Sequence, residues 1–127
     1  MCRSVFTDNA GVVAFDADHD LCIKVATHNS PSALDPYGGA LTGIVGVNPD
    51  PMGTGMGAAM VCNMDVFGFA SPFYEGEPPP HLLPPRSVTQ GVRLGAELAA
   101  HNSRIPTLAG PIAFYARSPP TPPVHPR

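Results

Sequence analysis

Positive charge is scarce in this chain. Seven Lys and Arg stand against ten Asp and Glu among 127 residues, for a net charge of −3. The seven are scattered and leave no electrostatic footprint for a nucleic acid. Long apolar runs are missing too, since none approaches the ~20 residues that a membrane span needs. The opening MCRSVFTDNAG lacks the apolar h-region of a secretory signal, so a cytoplasmic protein without a membrane partner is expected. Cys2, Cys22 and Cys62 are odd in number, far apart and without CxxC or zinc spacing. Cys22 and Cys62 read as small, reduced strand residues. Both standard phosphate fingerprints are absent: there is no GxxxxGK[ST], and no GxGxxG opens a helix straight after a strand.

What is present is enough apolar residues, 43% of the chain, for one domain with a core. Seventeen prolines and thirteen glycines exceed ordinary usage, and their placement is uneven. Six prolines fall between Pro72 and Pro85, and five in the last ten residues. The expected organisation is a folded domain over residues 1–117. A proline-rich, disordered, polyproline-like tail, SPPTPPVHPR, follows over 118–127.

Gly11 to Phe15 and Leu21 to Val25 read as two strands of a hairpin around the polar turn Asp16–Asp20. That turn lacks the spacing of a calcium loop. Asp35 to Val47 has helical spacing, with Asp35 or Ser32 as cap and Pro36 in the first turn. Gly57 to Ala70 reads as a longer strand with Asp65 in its middle, and Ser71 to Pro85 as a surface loop. Ser87 to Asn102 is the clearest helix. Val88, Val92, Gly95 and Ala99 form one face, Leu94 and Leu98 broaden it, and Ser87 is a candidate cap. Ile105 to Tyr115 would be a final strand, at an edge because of Pro106 and Pro111.

The chain is organised around residues Thr27 to Gly57, which hold seven of the thirteen glycines. A polar strand end leads into a glycine-rich helix and a glycine-rich return loop. Such an arrangement brings backbone amides together as an anion site requires. Helix glycines cost roughly 1 kcal/mol each relative to alanine. Their density here points either to close backbone packing or to a ligand lying along the helix.

The segment KVATHNSPSALDPYGGALTGIVGVNPDP, Lys24 to Pro51, resembles a signature of the phosphoribosylformylglycinamidine synthases and their shorter relatives. Their superfamily includes aminoimidazole ribonucleotide synthetase, thiamine-monophosphate kinase and selenophosphate synthetase. The matching residues are Lys24, Thr27, His28, Asn29, Pro31, Ser32 and Ala33, with Asp50 after the helix. Similarity continues through Thr7 to Phe15, Thr54 to Phe69 and GVRLGAELAAHNSRIPTLAGPIAF. The resemblance implies an α+β fold, a mixed sheet with two helices on one face, like the N-terminal domain of aminoimidazole ribonucleotide synthetase.

It also implies a chemistry. In the intact synthases, ATP activates an amide oxygen and ammonia displaces the phosphate to form an amidine. The position of His28 is catalytic, and that of Asp50 binds the Mg2+ that carries the ATP phosphates. Asn29 and Ser32 would contact substrate or phosphate, and Gly53 and Gly55 would approach the phosphates. Asp65, on its own residue type, reads equally as a second metal acid or as a polar residue on the open sheet face. Read without the resemblance, His28 is a strand-end histidine and Asp50 a loop acid.

Three departures stand out. Ala26 replaces an acidic ligand of the family, Pro49 replaces an arginine, and Ser30 replaces a second histidine. Where the family places a second domain, this sequence turns into its proline-rich end, as an isolated first domain would. The implied partners are a nucleotide or ribonucleotide and a separate chain supplying the second domain. A homodimer paired through its sheets is the alternative, non-catalytic role.

Overall fold

The computed structural model describes residues 1–55 and 57–115. The expected tail, residues 118–127, lies outside them. The fold begins with three short strands, β1 (Cys2–Ser4), β2 (Gly11–Ala14) and β3 (Asp20–Ile23). They form an antiparallel sheet in the order β1-β2-β3. The expected hairpin is present, with β2 and β3 in register from Gly11 opposite Ile23 to Ala14 opposite Asp20. Asp16 organises its turn by accepting from the Asp18 and His19 amides at 2.9 and 2.7 Å. These bonds, the Asp18 amide first, hold its carboxyl below the usual aspartate range. β1 was not legible in the sequence; it pairs with β2 across an irregular register between Cys2 and Ser4.

Helices α1 (Asn29–Leu34), α2 (Pro36–Val47) and α3 (Pro49–Met52) follow. Asp35 caps α2 as expected, accepting from the Gly38 amide at 3.1 Å, and Pro36 occupies the first turn. The short α1 is an addition to the sequence reading. It forms because the Ser32 and Asp35 amides find the His28 and Pro31 carbonyls at 3.3 and 2.9 Å.

The expected long strand Gly57–Ala70 is reduced to β4 (Asn63–Met64) and β5 (Phe67–Phe69). Residues 57–62 carry no strand, because no partner among the described residues reaches them. After the loop comes α4 (Pro85–Ser103), then β6 (Thr107–Ala109) and β7 (Ile112–Phe114). Helix α4 starts two residues before Ser87, with Pro85 at its first position and no side-chain cap. The fixed φ of proline suits that position better than a serine hydroxyl is needed.

β4 pairs parallel with β6, and β5 parallel with β7. Parallel partners require a long crossover, and α4 supplies it. The single strand expected over Ile105–Tyr115 is split into β6 and β7, with Pro106 and Pro111 just before each, where they lack a donor but contribute a carbonyl. Pro106 accepts from the Asn63 amide at 2.8 Å and Pro111 from the Phe67 amide at 3.0 Å. The α+β class therefore holds, with antiparallel and parallel pairings in separate small sheets.

The core sits where α2 meets α4. Ile44, Ala96 and Ala99 are buried together, with Leu41 and Phe67 packed against them. The helices approach closely because α4 presents glycine: a methyl group at Gly95 would collide with the Tyr37 carbonyl oxygen, and one at Gly91 would lie 2.7 Å from Pro36 Cβ. So narrow a contact leaves Leu94 and Leu98 exposed, at 48% and 36%, where the sequence pattern expected them to widen the buried face.

Candidate functional site

The segment from β3 to α3 carries most of the expected site. Lys24 lies one residue past β3, and His28 follows at the N-cap position of α1. The His28 imidazole makes no capping bond to the helix. The ring rests against α2: a methyl group at Gly43 would come within 3.0 Å of His28 Cβ. At Gly39 a methyl group would lie 2.5 Å from the Ser32 nitrogen. The glycines of α2 that face α1 are thus explained by close packing, while Gly46 faces open space.

Asn29 is exposed, and Ser32 and His28 are half-buried. The Ser32 amide is already bonded to His28, the Gly53 amide to Pro49 at 2.8 Å and the Gly55 amide to Met52 at 3.5 Å. These amides are committed within the chain, and only Gly55 adds open space; a methyl group at Gly53 would meet Asn9 Nδ2 at 3.2 Å. Gly55 has φ +72, a conformation that L-residues adopt at a cost, and a methyl group there would meet nothing within 4 Å among the described residues beyond its chain neighbours.

Asp50 lies in the first turn of α3, between Pro49 and Pro51. Its Oδ2 pairs with Lys24 Nζ at 2.8 Å, both side chains being more than two-thirds shielded from solvent. Neighbouring Asn48 is buried, with its Oδ1 unpartnered among the described residues. The sequence offered no signal for the Lys24–Asp50 pairing, because nothing in local spacing links a strand end to a turn beyond two helices.

Asp65 falls elsewhere, between β4 and β5. It accepts from the Thr107 hydroxyl at 3.3 Å, and burial raises its carboxyl above the usual aspartate range against the opposing effect of that bond. It lines an open groove of about 910 Å³ with Phe67, Glu97, His101 and Arg104, between α4 and the last strands. None of His28, Asn29, Ser32, Asp50, Gly53 or Gly55 lines that groove. Among the described residues, no three His, Cys, Asp or Glu side chains gather as a metal cluster, and no helix is long and apolar enough to cross a membrane.

Residues 7–125 match the family model described as AIR synthase related protein, N-terminal domain. The chain is 39% identical over 108 residues to the phosphoribosylformylglycinamidine synthase subunit PurL of Thermoplasma volcanium, covering 84% of this chain and 14% of that protein. It is 34% identical over 110 residues to the subunit of the same name from Rhizobium meliloti, covering 87% of this chain and 14% of that one. For the Methanopyrus kandleri subunit the identity is 33% over 115 residues, with 88% and 14% covered. The chain thus spans about one-seventh of the length of these curated relatives.

Proposed function

This chain belongs to the AIR synthase related protein family, and on that premise we propose that it is a magnesium-ATP-binding domain of the kind used by an amidine-forming ligase of purine biosynthesis. The observation that carries the reading is the Lys24–Asp50 bond. It ties the strand end that leads to His28 to the turn that holds Asp50, the two segments to which the resemblance assigns the site.

The donor set fits magnesium in one particular way. Magnesium takes hard oxygen ligands and is usually held by one or two carboxylates, water and substrate phosphates rather than by an all-protein cage. Asp50, which belongs to no cluster of three such side chains among the described residues, suits a metal that arrives with the nucleotide. Such a metal supplies neutralisation of phosphate charge during phosphoryl transfer. In this reading His28 positions substrate or exchanges a proton, and Asn29 and Ser32 hydrogen-bond substrate or phosphate. Gly55 leaves room for the phosphates, and Gly53, packed against Asn9, shapes the turn beside them. Asp65, expected as a second metal acid, lies in a groove that Asp50 does not line, so this reading gives it no part in holding the metal. Turnover would require the part of the protein that the longer relatives carry beyond the matched region, in the same chain or in a partner.

The test is thermal unfolding with and without magnesium-ATP, on the parent and on Asp50→Ala. Ligand at 100 times its Kd adds about 2.7 kcal/mol to stability. That shift should appear in the parent and vanish in the variant. An unchanged midpoint at millimolar magnesium-ATP would remove the reading.

A second reading, pairing of two copies through their sheets, is favoured by one observation. Exposure alternates along residues 57–62 and again, shifted by one residue, along 63–70, and Val61, Met64 and Val66 are 73%, 70% and 72% exposed. Apolar side chains beside unpaired strand edges invite another strand. Sedimentation of the parent and of Val61→Asp/Val66→Asp tests it. A dimer that dissociates in the double variant supports the reading, and a parent that stays monomeric at its highest soluble concentration excludes it.

A further inference from the structure

The Lys24–Asp50 pair differs from the other ion pairs between oppositely charged side chains. Its partners are 28% and 31% exposed, against 57% and 42% for Arg3–Asp20 and 63% and 58% for Arg93–Glu97. The two halves also differ in freedom. Asp50 is bracketed by Pro49 and Pro51, and the Gly53 amide closes its turn onto the Pro49 carbonyl, so its backbone is restricted. Lys24 carries its ammonium on a flexible four-carbon stem that can swing to a new partner.

We propose that Lys24 is a tethered counter-ion that masks Asp50 from metal and itself from anions, so that nucleotide and divalent cation bind well only together. The proposal rests on the nucleotide reading above. Charge balance in a partly shielded place carries it. A cation that takes Asp50 alone leaves the Lys24 ammonium uncompensated, and an anion that takes Lys24 alone strands the carboxylate; losing one partner of a shielded pair is costly. When a metal takes the carboxylate and a phosphate takes the ammonium, neither charge is left alone. The two affinities are then coupled, and by linkage the coupling is reciprocal.

The mask predicts a gain of function. Isothermal titration compares metal-free ATP, in EDTA, with magnesium-ATP on the parent, Asp50→Asn, Lys24→Met and the Lys24→Met/Asp50→Asn double variant, with circular dichroism confirming each fold. The parent should bind magnesium-ATP and hold metal-free ATP at least about fivefold more weakly, the low end of typical couplings. Asp50→Asn frees the ammonium and should tighten metal-free ATP by a similar factor. The double variant should lose that gain. Asp20→Asn, which removes a negative charge elsewhere, should leave the metal-free affinity unchanged, and Lys24→Arg should keep the parent's preference. If the parent binds magnesium-ATP but Asp50→Asn gains nothing in EDTA, the mask is wrong and the nucleotide reading stands. If the parent binds neither form, the nucleotide reading falls and the mask falls with it.

Discussion

Gly110 lies so close to Asp65 that a methyl group on its α-carbon would occupy the position of the Asp65 carbonyl oxygen. The contact bridges both parallel strand pairs, for Gly110 separates β6 from β7 and Asp65 separates β4 from β5. On either side the ladder continues, the Asp65 amide donating to Ala109 at 3.1 Å and the Phe67 amide to Pro111 at 3.0 Å. Overpacking a tight site costs about 1–3 kcal/mol, and backbone gives way less readily than a side chain. Gly110→Ala is therefore expected at or above the top of that range, read as a lowered urea midpoint. A midpoint equal to the parent's would contradict the close approach.

Two helix glycines should respond to alanine with opposite signs. At Gly95 the new methyl meets the Tyr37 carbonyl and forces α2 away from α4, whereas at Gly46 it meets nothing within 4 Å. Gly46→Ala should stabilise by about 1 kcal/mol through helix propensity. Gly95→Ala should destabilise by about 1–3 kcal/mol through overpacking. Chemical denaturation of both variants checks the pair together.

Asp65 gives a pH dependence of defined sign. Burial raises its folded-state carboxyl, so the folded chain holds that proton more tightly than the unfolded chain does. Its contribution is fully present below the ordinary aspartate value of about 3.9 and is lost as pH rises through the raised folded value. Asp65→Asn, still able to accept from Thr107, should be more stable than the parent at neutral pH and lose that part of the slope. Urea midpoints across acid to neutral pH test this; a parent–variant difference that stays constant would refute it.

Arg104 ends α4 in the left-handed region, at φ 58. Glycine is favoured there because it has no Cβ to strain. Arg104→Gly should raise stability by about 0.5–1 kcal/mol, visible as a higher thermal midpoint with an unchanged far-ultraviolet spectrum.

Local chemistry made much of the fold legible in the sequence. The polar turn at Asp16–Asp20 set the β2–β3 hairpin, Asp35 and Pro36 started α2, and helical spacing announced α4. The run HNSPSALDPYGG carried the family, and the family match follows it. These signals depend on neighbours within a few residues, so they survive without knowledge of the rest of the chain.

Only the tertiary structure decided what depends on distant partners. The stretch from Gly57 keeps the composition of a strand along its length, yet becomes one only where β6 and β7 supply hydrogen bonds. Leu94 and Leu98 remain exposed because the contact of α4 with α2 is narrow. The glycine-rich helix by itself fits close packing or a bound ligand, and in the fold Gly39 and Gly43 lie against Ser32 and His28. Asp50 reads as a lone loop acid until folding brings Lys24 to within 2.8 Å. Capping and turn formation are settled along the chain, but charge compensation and strand pairing are settled across it, by which surfaces the packed helices bring together.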